Sequence, residues 1–127
     1  MALKEVAVQG LTLTPQGIVT PGTGTLTITS TPSAKNKAGG NGMYKKPLQF
    51  TLAGANAAGY DPGTVMTVGP GSIPATAVKV KADTLLVMRT DDQNASVSMT
   101  GTISGTPTPF VEPWKITDAG QTKVKGQ

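Results

Sequence analysis

Seven carboxylates are the only acidic side chains in this sequence that could serve as acid, base or hard-metal ligand: Glu5, Asp61, Asp83, Asp91, Asp92, Glu112 and Asp118. Histidine and cysteine are both missing, so the commonest general base, the zinc ligands and the thiol nucleophile are absent with them. Asp91-Asp92 is the one adjacent acidic pair. In a strand such neighbours point to opposite faces; in a turn they could converge on a hard cation such as Ca²⁺, although a solvated turn is the ordinary outcome. A carboxylate-only enzyme would have to draw on Asp61 with Asp83 or Asp91. Gly22-x-Gly24 and Gly69-x-Gly71 have no following helix to aim amides at a phosphate, and no Gly-Lys-Ser/Thr follows a strand pattern. The expectation is therefore a protein that is not an enzyme, with no catalytic residue, no cofactor and no metal site.

Binding chemistry is equally sparse. Only five aromatic residues occur: Tyr44, Phe50, Tyr60, Phe110 and Trp114. An oligonucleotide-binding barrel would need aromatics interleaved with basic residues along one face. Tyr44-Lys45-Lys46 with Phe50 is the only such cluster, and an edge strand shielded by lysine explains it better. Trp114 follows a proline-rich stretch and reads as a lid over the end of a β core or as a contact residue. Tyr44, Lys45, Lys46 and Trp114 are thus the candidate partner contacts. The net charge of +4 comes from scattered lysines, densest at Lys35, Lys37, Lys45 and Lys46, and does not suggest nucleic acid.

These residues have to be positioned by strands. The chain has 127 residues, 16 of them glycine and 10 proline, and is rich in threonine, which suits pleated surfaces and tight turns. Gly24 to Thr29 alternates Leu26 and Ile28 with threonines; Ala77 to Ala82 alternates Val78 and Val80 with Lys79 and Lys81; Ser96 to Ile103 repeats the pattern. Leu85-Leu86-Val87-Met88 reads as a strand buried on both faces, and residues 77–89 as a hairpin. Met66, Met88 and Met99 read as core residues. Further strands are expected at 3–8, 43–52, 64–68 and 114–117, and a weak helix at 53–58.

The fold class expected is all-β: a small single domain over 1–127, of short antiparallel strands and hairpins, cone- or sandwich-like, with almost no helix. Within it, 30–42 reads as a mobile loop, 104–113 as a Pro-rich extended arm, and 119–127 as a polar tail. No apolar run reaches the roughly 18 residues of a membrane span. The opening residues lack a secretory leader, so synthesis in the cytoplasm is expected, without stable membrane insertion.

The stretch Gly71-Ser72-Ile73-Pro74-Ala75-Thr76-Ala77-Val78-Lys79-Val80-Lys81-Ala82-Asp83, followed by Leu86-Val87-Met88-Arg89-Thr90-Asp91-Asp92, resembles the hairpin pattern of PAAR-like spike-tip proteins. Pro74-Ala75-Thr76-Ala77 would occupy the place of that family's name motif. The close, Trp114 to Val124, is similar to the end of such proteins. The resemblance spans about residues 40–125. It implies a β cone that caps the trimeric β-helical spike of a contractile phage tail or injection system and sharpens it for piercing an envelope. The partner would be that spike or a baseplate hub, and the location the tail tip. Structural turn residues would be Pro74, Ala75, Thr76, Ala77, Asp91 and Asp92. Several members of the family staple the apex with a metal through His or Cys, and this chain has neither. The alternative expectation is a capsid decoration protein or another non-catalytic, carbohydrate-binding β module.

Overall fold

A computed structural model describes residues 3–20, 22 and 24–127. It is all-β: no helix occurs among the described residues, and every strand pairing is antiparallel. The larger sheet has four strands, β2 (Thr12–Pro15), β14 (Thr106–Asp118), β13 (Gln93–Ile103) and β9 (Met66–Thr67), in that order. A second sheet runs β10 (Gly71–Ile73), β7 (Leu48–Ala53), β4 (Thr25–Ile28). Four two-stranded pairs complete the fold. They are β1 (Lys4–Glu5) with β15 (Lys125–Gly126), β3 (Val19–Thr20) with β8 (Asn56–Ala57), β5 (Lys37–Ala38) with β6 (Asn41–Gly42), and β11 (Lys81–Ala82) with β12 (Leu85–Leu86).

Alternation builds the core. Leu48, Phe50 and Leu52 of β7, Val97 and Met99 of β13, and Trp114 and Ile116 of β14 point inward and meet in one buried cluster with Leu13 and Ile73. Trp114 is fully buried, tilted against Phe50 at a ring separation of 4.9 Å, with its indole N–H directed at the Met99 sulfur at 3.5 Å. Gly71 makes that packing possible, since a Cβ there would lie 2.6 Å from Phe50 Cζ. A second, smaller cluster of Val6, Ala77, Ala82 and Val87 sits under the β11–β12 hairpin. Three hairpins turn on residue pairs with both φ values positive, Gly39–Gly40 (60° and 84°), Asp83–Thr84 (49° and 71°) and Ser104–Gly105 (49° and 82°). That geometry gives a two-residue turn whose twist matches its strands.

Several expectations are corrected. Residues 77–80 are not a strand, and Val78 is 59% exposed. The backbone N–H groups of Lys79 and Val80 donate to the Gln127 carbonyl, while the Val80 carbonyl accepts the Val87 N–H, so only Val80 continues the β11–β12 hairpin. Leu85 is exposed while Val87 and Met88 are buried, so only half of that apolar run is core. Met66 faces solvent, unlike Met88 and Met99. Residues 53–58 form the end of β7, a turn and β8, not a helix. Segment 104–113 is the hairpin turn and the first half of β14, not a free arm. Residues 30–42 include the β5–β6 pair and the buried Ser33. The polar 119–127 tail needs no such correction, since it pairs through β15 with β1.

Pro107, Pro109 and Pro113 fit inside β14 because of their parity. The Pro113 carbonyl accepts the Gln16 N–H, on the side away from β13. All three prolines share that side, so the ladder to β13 loses no donor.

Candidate binding face

The candidate turn residues meet a partner that the sequence did not single out, Arg89. Asp92 is fully buried; its Oδ2 accepts the Arg89 backbone N–H at 2.8 Å and its Oδ1 accepts the Thr76 hydroxyl. Thr76 in turn accepts from Arg89 Nη2 at 2.9 Å, while Nη1 donates to the Gly126 carbonyl at 3.1 Å. This network ties the 74–77 turn, the end of the β11–β12 hairpin and the C-terminal strand together. Both Asp92 oxygens are occupied and shielded from water. Asp91, at φ 73°, points outward to Lys115 Nζ (3.3 Å) and Lys4 Nζ (3.9 Å). The left-handed turn at Asp91 separates the two carboxylates, so they do not converge on a shared cation. Among the described residues, no three acidic side chains come together as a metal cluster. Asp61 is spent on a turn, accepting the Ser104 and Gly105 N–H groups at 3.2 and 3.0 Å.

Of the candidate contacts, Trp114 and Tyr44 are interior residues and have no surface to offer. Burial raises the Tyr44 phenol above its usual 10.0. Lys45 is bound to Asp83 at 2.6 Å, and that hydrogen bond holds the Asp83 carboxyl below its usual 3.8. Lys46 remains exposed. Sequence reasoning also missed Glu112, buried in the core wall and accepting three consecutive amides: Gly17 (2.8 Å), Ile18 (3.1 Å) and Val19 (3.2 Å). No local signal could have shown this, because the loop it holds lies 95 positions away.

What the fold displays is the outer face of β9, β13 and β14. Val68, Ser98 and Val111 form one row, since the Val68 N–H donates to the Ser98 carbonyl and Ser98 is opposite Val111. Met66, Thr100 and Pro109 form the next row, followed by Thr102 and Pro107. No charged residue occurs from Gln93 to Val111. Val111 is 60% exposed, Val68 55% and Met66 43%. The long hairpin is braced from inside: the Tyr60 ring packs on Gly101, where a Cβ would lie 2.5 Å from Tyr60 Cδ2, and stacks on Phe110 at 4.8 Å. Charged side chains lie outside this stretch, around β1/β15, β11/β12 and residues 35–46, a region held together by the Asp83–Asn36 and Lys45–Asp83 contacts, and at its margins, with Asp61 at the hairpin turn and Lys115 and Asp118 in the far part of β14.

No family model, curated protein sequence or solved structure matches the chain. The face is therefore interpreted from its own chemistry. With no charged side chain from Gln93 to Val111, a contact on it carries no ionic desolvation cost.

Proposed function

We propose that this chain is a structural tip protein capping the trimeric β-helical spike of a contractile phage tail or injection system, where it helps pierce the target envelope. The supporting observation is the segregation of charge. A braced hairpin presents an uncharged threonine, proline and valine face between Gln93 and Val111, with charged side chains at its margins (Asp61 at the turn, Lys115 and Asp118 at the far end of β14) and around the other hairpins. Such a face docks on a neighbouring β structure without stripping water from ions. Its free β14 edge is closed to strand addition by proline, so contact runs through side chains rather than through an added strand. The long β13–β14 hairpin, braced by Tyr60, and tight turns between the shorter strands would stiffen the cap.

The test is co-expression with a trimeric spike protein, with a complex of one chain per trimer expected by sedimentation. Val111→Lys and Met66→Lys should abolish that complex without changing the melting temperature, since both positions are solvent-exposed. A free monomer beside an intact spike would overturn the reading. One observation favours the second reading, a free-standing decoration module: both cores close within a single chain. Against a form of it that binds sugar by aromatic stacking, Tyr44 and Trp114 are buried and Tyr60 is committed to Phe110, so these rings form no platform.

A further inference from the structure

An open groove of about 320 Å³ lies where the second sheet meets the β11–β12 hairpin, lined by Thr29, Thr31, Lys46, Pro47, Gln49 and Leu85, with Ser30 and Lys45 completing its walls. Its frame is fixed. The Ser30 hydroxyl donates to the Pro47 carbonyl at 3.1 Å and accepts the Gln49 N–H at 2.8 Å, while the Lys46 N–H donates to the Leu86 carbonyl at 2.9 Å. The functional groups facing outward are a different set. Among the described residues, the side chains of Thr29, Thr31, Gln49 and Lys46 make no hydrogen bond or ion pair. They are exposed donors and acceptors open to a ligand.

We infer that this groove binds an acidic saccharide unit, a pyranose carrying a carboxylate or similar anionic group, with Lys46 taking the anion and Thr29, Thr31 and Gln49 taking ring hydroxyls. Three features select that chemistry. The charge balance is cationic: Lys45 and Asp83 neutralise each other at 2.6 Å, leaving Lys46, with Lys35 close enough to Asp83 to act on it. The polar groups continue along the sheet beyond the groove, in rows Thr29–Gln49–Ser72 and Thr27–Thr51. A neutral hydroxyl and amide array matches a polyhydroxylated ring better than a bare anion, and Pro47 and Leu85 supply a small apolar wall for the ring's C–H side. Nucleic acid fits poorly, because no aromatic ring lines the groove for base stacking. The inference does not depend on the spike reading, since the residues differ from those of the uncharged face.

The test is a ¹⁵N-NMR titration of the intact chain with digalacturonate, a neutral hexose disaccharide, inorganic phosphate and a short single-stranded oligonucleotide. Saturable shifts at the amides of Thr31, Lys46 and Gln49 with digalacturonate are expected, with the neutral sugar and phosphate each weaker by about tenfold. Lys46→Gln and Thr31→Val are exposed changes that leave the spectrum dispersed, and each should weaken digalacturonate binding by about fivefold to tenfold. No saturable shift, shifts confined to other residues, phosphate binding as tight as digalacturonate, or tighter oligonucleotide binding would each overturn the inference.

Discussion

From inside the core wall, Glu112 holds a loop that is distant in sequence. Its two oxygens accept the N–H groups of Gly17, Ile18 and Val19, and the chain at Gly17 comes so near that a Cβ would sit 2.5 Å from Oε1. Glu112→Ala should therefore leave three amides without acceptors and cost about 3 kcal/mol or more, read from urea unfolding at constant m-value. Gly17→Ala should cost about 1–3 kcal/mol through the same contact, approached from the other side. Two further residues set the pH response. Asp83 titrates below 3.8 in the folded chain because Lys45 hydrogen-bonds it. Its contribution to stability is thus complete above 3.8 and is lost as pH falls through the lowered value. Lys45→Met should return the Asp83 titration toward 3.8, as followed by carboxyl NMR. Tyr44 behaves oppositely: burial raises it above 10.0, so stability is retained below that pH and declines as pH rises through the raised value. Tyr44→Phe should remove that part of the alkaline decline.

Turns and edges govern the elements. Thr84 is β-branched yet held at φ 71° in the β11–β12 turn, a conformation that disfavours side chains branched at Cβ. Thr84→Gly should stabilise the chain by about 1 kcal/mol, measured by thermal unfolding. The β13–β14 turn is instead capped from outside by Asp61. Asp61→Ala should cost about 1–2 kcal/mol and speed hydrogen exchange at the hairpin tip before the core. Pro109 faces the open side of β14. Replacing it with threonine restores an edge N–H next to an uncharged surface, and concentration-dependent association should rise in light scattering. These elements were partly readable in advance. Leu26 and Ile28 against threonines, and Val97 and Met99 against Ser96 and Ser98, alternate as the sheets require. The 77–82 alternation misled, because nothing local distinguishes a strand from a segment bonded to the distant Gln127 carbonyl.

At the scale of the whole molecule, one core joins both larger sheets while the smaller cluster anchors the lysine-bearing hairpins. The Arg89–Thr76–Asp92 network is the joint between the 74–77 turn and the C-terminal strand. Asp92→Asn keeps the shape of the side chain but replaces one acceptor with a donor that faces the Arg89 N–H or the Thr76 hydroxyl. A loss of about 2 kcal/mol is expected in urea unfolding, with exchange rising first in β1 and β15. If exchange rises uniformly instead, the joint is not a separate cooperative unit.

The residue order by itself determined the class of this protein. Threonine-rich alternation and frequent glycine and proline favour strands and turns over helix, and the lack of histidine and cysteine removes the commonest reactive chemistry. Which alternating face is buried follows locally, since side chains two apart share a side. Tertiary structure decided the rest: that Trp114 and Tyr44 are interior, that Asp91 and Asp92 part company, that Glu112 holds a distant loop, and that Met66 faces water. Each depends on pairings between segments far apart in the chain, and burial of a polar or bulky side chain is set by what arrives beside it, not by its neighbours in sequence.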